Sequence, residues 1–374
     1  MTTLKAPFPW FGGKSRVASE VWAALGDGSN YVEPFAGSLA VLLARPKTHT
    51  RTIETVNDAD EYIANFWRAL AADPESVARH ADWLVNETDL FSRHMWLVNE
   101  GQRQMANGMA VDPDWYDAKI AGWWVWGISQ WIGSGWCSGN GPWKVVDGVL
   151  VQKNNSDEKH GVTRKRPHLG SSKGVNRKLP HLGDAGMGVN RQRPNLGSSK
   201  GVNRKLPHLG DAGMGVHRTL AREELYTYMA ELAARLRYVR VCCGDWSRIV
   251  TTGALTEGTR IGIFLDPPYS TEANRTNDLY NIDSLTVAHD VRQWCLENGD
   301  NPRYRIVLAG YADEHAEYMP SSWRTMQWSA GQAYSTASSS KRADGNAENR
   351  HKERLWFSPH CLHENLDFFS LKDE

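Results

Sequence analysis

Residues 29–38 read Ser-Asn-Tyr-Val-Glu-Pro-Phe-Ala-Gly-Ser, and this stretch carries the pattern from which the fold is predicted. A short strand is predicted to end at Glu33, a turn with proline and glycine follows, and a helix is predicted at 38–45. A second strand is predicted at 52–58, ending in Asn-Asp. This order of strand, turn, helix and strand is typical of the first unit of a parallel sheet.

The chain after residue 218 repeats this alternation. Residues 219–236 carry apolar side chains at helical spacing. Strands are predicted at 238–242, 261–266 and 304–309. Strands separated by helices indicate an α/β fold with a Rossmann-like, doubly wound and mostly parallel sheet. The core is therefore predicted to be discontinuous, with a first part at 1–72 and a second part at 219–374.

A tryptophan-rich region and a basic region, predicted at 73–152 and 153–218, interrupt this core. Residues 115–143 hold 7 of the 17 tryptophans, with glycine, serine and asparagine between them. Tryptophans at such spacing fit the core face of a helix or the edge of a β-hairpin. Exposed aromatic side chains on glycine-rich turns also suit base stacking, so core packing and a nucleic-acid surface are both open interpretations.

The basic region is an internal repeat. Residues 164–190 and 191–217 align at a period of 27 residues with 24 identities, and no aromatic residue occurs from 144 to 225. The whole chain has 43 basic and 43 acidic residues, but 153–218 alone has 14 basic against 4 acidic. A flexible arm that binds phosphates is one interpretation of this asymmetry, and a duplicated insertion without a role is the other.

Length and composition exclude several classes of protein. A chain of 374 residues is long enough for two or three folded units. No apolar run approaches the roughly 20 residues of a membrane span, and the first residues lack the pattern of a signal peptide. The five cysteines have no two-residue spacing, which argues against a disulfide framework and a zinc site. A cytoplasmic protein without a metal is expected.

The turn after the first predicted strand is a candidate ligand site. In an open α/β sheet the turn at a strand's carboxyl end faces the ligand crevice, and Gly37 would let the backbone approach a ligand there. Asp58 follows Gly37 by 21 residues, close to the spacing of the acid that holds ribose hydroxyls. An adenosine-like ligand is predicted, although such a turn is also common as a purely structural feature.

The Gly-Gly-Lys-Ser sequence that begins at Gly12 resembles part of a phosphate-binding loop. A Walker loop requires glycine five positions before Gly13, and Phe8 stands there. The segment is better described as Trp10 and a phenylalanine followed by a flexible turn and the cation Lys14. This combination favours a small charged ligand over a nucleotide triphosphate.

The strongest motif is Asp266-Pro267-Pro268-Tyr269, directly after the apolar run 261–265. An aspartate at a strand's carboxyl end faces the crevice, and the prolines fix the backbone that follows. Asp266, the Pro267 carbonyl and the Tyr269 ring together suit a planar amine. A structural turn is the alternative.

These motifs resemble, in content and order, the Dam-like class of adenine-specific DNA methyltransferases, including phage-type members. The resemblance covers most of 5–72 and 238–310 and extends to Cys-Gly-Asp-Trp at 243–246. It implies a methyltransferase that acts on double-stranded DNA in a bacterial or phage-infected cell, within or outside a restriction-modification system. Residues 73–218 occupy the position of the family's target-recognition domain.

The resemblance also implies roles for individual residues. The cofactor S-adenosylmethionine would be bound by Trp10, Gly12, Gly13, Lys14, Glu33, Phe35, Gly37, Asp58 and Asp245. Of these, Asp58 would take the ribose hydroxyls and Asp245 the adenine amino group of the cofactor. Asp266, Pro267 and Tyr269 would be catalytic and hold the target base after it is flipped out of the duplex.

Other substrates and an inactive protein are alternatives at this stage. Related enzymes that act on cytosine resemble the tetrad with serine in place of aspartate, and those that act on glutamine resemble it with asparagine. Asp266 therefore favours adenine, in DNA or RNA. A DNA-binding protein without catalysis is disfavoured because the tetrad and Asp58 are both intact.

Overall fold

The structure, a computed structural model, describes eleven stretches of the chain. They are residues 4–10, 13–46, 52–112, 114–131, 136–137, 143–146, 149–152, 222–255, 260–268, 286–328 and 353–363. The repeat at 164–217 lies outside the described residues, as do Gly12 and Tyr269.

Nine strands are present in the described residues. They are β1 (Asn30–Glu33), β2 (Ile53–Asp58), β3 (Trp143–Val146), β4 (Val149–Gln152), β5 (Val239–Cys243), β6 (Ile261–Leu265), β7 (Tyr304–Tyr311), β8 (Arg324–Gln327) and β9 (Glu353–Phe357). β3 and β4 pair as a separate antiparallel hairpin, and the other seven form one sheet.

The helices of the same residues lie mainly between the parallel strands and in the region 61–130. They are α1 (Ala18–Leu25), α2 (Ala40–Leu43), α3 (Glu61–Ala72), α4 (Pro74–Ala81), α5 (Glu87–Trp96), α6 (Gln102–Val111), α7 (Ala118–Gln130), α8 (Arg222–Leu236), α9 (Val287–Asn298) and α10 (Ala312–His315). A π-helical segment, Leu97–Gly101, joins α5 to α6. Within the described ranges, every helix is too short or too polar to span a bilayer.

The seven-stranded sheet has the order β5-β2-β1-β6-β7-β9-β8. β1 pairs in parallel with β2 on one side and with β6 on the other, so the strand order reverses between β1 and β6. In an open α/β sheet, ligands bind outside the carboxyl ends of the strands at such a switch point. The predicted α/β class with a mostly parallel sheet is confirmed, and the arrangement is consistent with a methyltransferase fold.

Two antiparallel pairings at one edge of the sheet were not expected from the sequence. β9 pairs antiparallel with β7, and β8 pairs antiparallel with β9. β9 thus reaches the site edge of the sheet with its first residue, Glu353, which is opposite Tyr311 at the carboxyl end of β7. β9 is only five residues long and its apolar stretch, 355–357, only three, which is why periodicity alone does not distinguish it from a short helical segment.

The tryptophan-rich helix α7 is part of the core. Trp124 and Trp126 are 1% and 0% exposed, and Trp131 and Trp136 are also buried. These side chains belong to one hydrophobic cluster with residues of α1, α3, α4 and α8. The core-packing interpretation is therefore confirmed for these four tryptophans. The proposed domain boundaries at 72 and 152 stay a prediction.

One cation lies inside this tryptophan-rich layer. The Arg93 guanidinium is 4.4 Å from the ring centroid of Trp126, 4.8 Å from that of Trp83 and 5.0 Å from that of Trp123. Burial lowers the pKa of Arg93 to about 10, and the negative faces of the aromatic rings favour its charge. The tryptophans therefore stabilise an internal cation as well as the apolar core.

Candidate active site

A cavity lies over the carboxyl ends of the strands at the switch point. Its wall includes eight of the predicted site residues: Trp10, Gly13, Lys14, Glu33, Phe35, Asp58, Asp245 and Asp266. Gly37 and Pro267 do not contribute to the wall, whereas Pro268 does. The sheet therefore brings the two predicted groups of residues, from opposite parts of the chain, to one cavity.

Backbone and side-chain hydrogen bonds from the end of β2 organise the floor of this cavity. The Asn57 amide donates to the Pro34 carbonyl at 3.1 Å and to the Gly244 carbonyl at 2.9 Å. The Asp58 carboxylate accepts from the Gly37 amide at 2.9 Å and from the Asp60 amide at 3.0 Å. The loops after β1, β2 and β5 are thus held together before any ligand binds.

The structure gives Gly37 a different neighbour from the one expected. Its φ is +47°, and a Cβ placed on it would lie 2.5 Å from the indole Nε1 of Trp10. The turn therefore requires glycine for its left-handed backbone and for the approach of a tryptophan. The space beside Gly37 is filled by Trp10, and it is the indole that faces the cavity.

We expect Gly37→Ala to lower the free energy of unfolding by about 2 kcal/mol. A left-handed backbone is unfavourable for alanine, and the added Cβ must displace the indole of Trp10. Urea unfolding followed by fluorescence measures this loss. Gly253→Ala is the matched control, since its added Cβ would have its nearest neighbour at 4.0 Å. Equal unfolding midpoints for the two variants would contradict the packing described here.

Lys14 and Asp266 form the central contact of the site. The Lys14 ammonium is 2.8 Å from the Asp266 carboxylate, and the two side chains are only 2% and 19% exposed. Lys14 is also 5.4 Å from the ring centroid of Trp328. The resemblance implies that Lys14 binds the methionine end of the cofactor, and the structure places its ammonium against Asp266, which the same resemblance predicts to be catalytic.

The cavity is strongly acidic. Among the described residues that line it, Lys14 is the only cation, against the carboxyl groups of Glu33, Asp58, Asp60, Asp245 and Asp266. Burial raises the pKa of Asp266 and the Lys14 ammonium opposes that rise. Burial also raises the pKa of Asp58, and its backbone hydrogen bonds oppose the rise. Such a set of acids favours a ligand that carries positive charge.

Glu33 shows the strongest effect of this environment. Its side chain is buried and accepts a hydrogen bond from the Tyr31 hydroxyl at 2.9 Å. Burial raises the pKa of Glu33 to about 8, with further increases from Asp266 and Asp58. Glu33 is therefore largely neutral at pH 7 in the protein without a ligand, and a cation placed in the cavity would favour its ionised form.

Aromatic side chains form part of the cavity wall. The rings of Phe35 and Trp246 lie with their centroids 6.0 Å apart at an interplanar angle of 31°. Asp245 is exposed at the start of a short 3₁₀ helix, where its carboxylate accepts from the Ser247 amide at 2.9 Å. A flat ring and a carboxylate acceptor therefore meet at the β5 end of the cavity.

Sequence reasoning missed several residues that shape the site. Asn57 and Trp246 are the sequence neighbours of the predicted site residues Asp58 and Asp245. Their positions in those two motifs are the signal from which a role in the site could have been predicted. Trp328 and Glu353 carry no local signal, because β8 and β9 bring them to the site from the end of the chain. No group of three metal-ligating side chains that could hold an ion occurs among the described residues.

Comparison with known families gives one match. The model of the D12 class N6 adenine-specific DNA methyltransferase family matches residues 10–106, about a quarter of the chain. This match confirms the predicted resemblance and supports an adenine-specific DNA methyltransferase enzyme that acts on DNA. It includes Trp10, Lys14, Glu33 and Asp58 and ends before Asp266. Comparison with curated proteins gives no match.

Proposed function

We propose that this protein transfers a methyl group from S-adenosylmethionine to the exocyclic amino nitrogen of adenine in double-stranded DNA. The observation that carries the proposal is that Asp266 shares one cavity with Glu33 and Asp58. Asp266, the proposed acceptor for the target amine, is therefore next to the candidate cofactor site. Direct transfer of the methyl group requires this proximity.

The residues of the cavity fit the proposed cofactor. S-adenosylmethionine supplies an electrophilic methyl group on a positively charged sulfur. The acidic wall suits that charge, and Asp58 offers carboxylate oxygens, each with further lone pairs, to ribose hydroxyls. Phe35 and Trp246 offer apolar faces to an adenine ring next to the Asp245 carboxylate. Trp10 and Lys14 also line the cavity, with Lys14 in contact with Asp266, and would hold the methionine end.

Asp266 and Pro267 are proposed to activate the target. The amino nitrogen of adenine is a poor nucleophile because its lone pair is delocalised into the ring. Hydrogen bonds from the two amino hydrogens to the Asp266 carboxylate and the Pro267 carbonyl favour a tetrahedral nitrogen and stabilise its growing positive charge. The proton that the nitrogen loses after attack would leave toward Asp266 or solvent.

The target base is proposed to be flipped out of the duplex. The amino group is inaccessible while the base is stacked, and Asp266 lies in a cavity rather than on a surface. We assign Tyr269, which follows Pro268 in the chain, as the stacking face for the flipped base. Unstacking costs a few kcal/mol, which this contact would partly offset.

Methylation-aware sequencing of DNA from cells that express the protein tests this function. We expect N6-methyladenine at one short sequence in cells with the wild-type protein and none above background with Asp266→Asn. Methylation of cytosine, or of RNA only, would contradict the proposed substrate. An unmodified genome would contradict the activity.

We expect Asp58→Ala to weaken S-adenosylmethionine binding at least tenfold, because it removes a charged acceptor and loosens the Gly37 turn. Isothermal titration calorimetry without DNA measures the affinity. Asp117→Ala is the control, since it removes the N-cap of α7, where Asp117 accepts from the Ile120 amide at 2.7 Å. Equal affinities for both variants would remove Asp58 from the cofactor site.

We expect cofactor binding to strengthen as the pH rises from about 6 to 8 and to release protons at pH 7. The reason is that Glu33 has a pKa of about 8 in the free protein and must ionise beside a cation. Calorimetry in buffers of different ionisation enthalpy counts the released protons. The demethylated product, whose sulfur carries no charge, should release fewer protons, and Glu33→Gln should show no such release. Equal proton release with both ligands would contradict the role of Glu33.

A further inference from the structure

Glu353 is a buried carboxyl group that the proposed chemistry does not use. It begins β9 and is 5% exposed. Among the described residues its Oε2 atom has no hydrogen-bond partner. A buried carboxylate oxygen without a donor is costly, so such an atom in a folded protein calls for a physical reason.

The position of Glu353 in the sheet brings its carboxyl within electrostatic range of the Lys14–Asp266 pair. β9 lies beside β7, and β7 pairs with β6, which ends one residue before Asp266. The Glu353 carbonyl accepts a hydrogen bond from the Trp328 amide at 3.2 Å. The ring of Trp328 is the one that Lys14 faces. The charged side chains that act on the Glu353 carboxyl are Lys14, which favours its ionised form, and Asp266, which disfavours it.

The Lys14–Asp266 pair presents a difficulty for the proposed reaction. Lys14 occupies the Asp266 carboxylate that has to receive the amino group of the target base. Asp266 is a better acceptor for that amine without the competing ammonium. Lys14 is buried, however, and a buried ammonium that leaves one carboxylate requires another acceptor.

We infer that Glu353 is the second acceptor for Lys14, an inference that rests on the proposed function. The Glu353 carboxylate receives the Lys14 ammonium when the target amine binds Asp266. Glu353 is then a positioning residue, because it acts on the reacting atoms only through Lys14. Before the base enters, Lys14 neutralises Asp266 in the cavity. After the base enters, the same ammonium neutralises Glu353, so the number of buried charges is unchanged.

This exchange depends on the ionised form of Glu353. Burial and Asp266 raise the pKa of Glu353 to about 7, and Lys14 opposes the rise. The groups around Glu353 are Lys14 from the segment before α1, Asp266 after β6, Tyr311 opposite on β7, Trp328 after β8 and Arg354 on its own strand. Arg354 donates to the Glu353 carbonyl at 3.2 Å. A fall in pH below about 7 therefore protonates Glu353 and removes the second acceptor.

Single-turnover methylation of a DNA substrate between pH 6 and 9 tests the inference with the wild-type chain, Glu353→Gln, Glu353→Asp and the control Glu314→Gln. Glu314 is another buried carboxyl group, on α10, outside the cavity wall. We expect Glu353→Gln to slow transfer about 10- to 100-fold at pH 8, the scale of one charged hydrogen bond, with unchanged cofactor affinity. The ratio of the wild-type transfer rate to that of Glu353→Gln should approach one below pH 6, because Glu353 is then protonated in the wild type. Glu353→Asp should restore part of the rate, and Glu314→Gln should behave as wild type.

A measurement without cofactor or DNA gives an independent readout. The folded pKa of Glu353 lies above the unfolded value of 4.5, so burial is more favourable for the protonated form. The stability of the wild type relative to Glu353→Gln should therefore fall as the pH rises from about 4.5 to 7 and level off above that. Urea unfolding at each pH measures this difference.

The outcomes separate this inference from the proposed function. If the wild type does not methylate adenine in DNA, the proposed function fails. If the wild type is active but the rate ratio to Glu353→Gln is the same at every pH, or the relative stability does not change with pH, the role of Glu353 is overturned and the proposed function stands.

Discussion

Replacing Asp266 with asparagine is expected to raise the barrier to methyl transfer by about 2 to 4 kcal/mol, the usual cost of losing one preorganised polar group. The neutral amide cannot stabilise the positive charge that grows on the target nitrogen. It can accept through only one oxygen, and its NH₂ group repels a donor. Cofactor affinity should change only a few-fold, because Asp58 and Asp245 are untouched.

Single-turnover kinetics with saturating cofactor measure this effect. Asp27→Asn is the matched control, because Asp27 also pairs with a buried cation, Arg45, at 2.9 Å, outside the cavity wall. Unfolding measurements on both variants show whether loss of an ion pair alone disturbs the fold. Wild-type rates for Asp266→Asn would mean that the amine is not held at this carboxylate.

Replacing Lys14 with methionine should produce the second large effect, a shift of the pH dependence of transfer toward higher pH. Lys14 opposes the rise in the pKa of Asp266, so its removal raises that pKa further. A protonated Asp266 carries no negative charge to stabilise the positive charge that grows on the amine, and each unit of upward shift in its pKa costs about tenfold in rate at a pH below that pKa. Much of the lost rate should return at pH 9.

The pH profile of single-turnover rates measures this shift. Lys119→Met is the control, since Lys119 is placed over the rings of Trp96 and Trp123 in the helical layer and not in the cavity wall. A Lys14→Met variant that is slow by the same factor at every pH would show that Lys14 acts by some means other than the charge of Asp266. An unchanged rate at pH 7 would remove Lys14 from the reaction.

The parallel strands of the sheet were predictable because each of them has a local signal in the sequence. The strands predicted to end at Glu33, at Asp58 and at Asp266 correspond to β1, β2 and β6 within one or two residues. β6 is buried along its whole length and its sequence is a continuous apolar run, and the carboxyl ends of parallel strands carry the turns that hold ligands. The candidate cavity at those ends therefore follows from position along each strand.

The tryptophan-rich region shows the limit of such reasoning. Trp123, Trp124 and Trp126 are consistent with a helix core or with a surface for bases, since composition does not state which neighbours a side chain meets. Burial of Trp124 and Trp126 against α3 and α4 depends on helices that are distant in sequence. Contacts between helices that are distant in sequence leave no periodic pattern along the chain, so they could not be predicted from it.

The sequence by itself determined the α/β class, the strand-end acids Glu33, Asp58 and Asp266, and the resemblance to adenine-specific DNA methyltransferases. These depend on local apolar runs and short motifs, which the chain displays residue by residue. Only the tertiary structure decided that Lys14 pairs with Asp266, that Trp10 fills the space beside Gly37, and that an antiparallel strand brings the Glu353 carboxyl within electrostatic range of that pair. The physical reason is that charge pairing and close packing act through space over a few ångströms, between side chains whose separation along the chain carries no information about their contact.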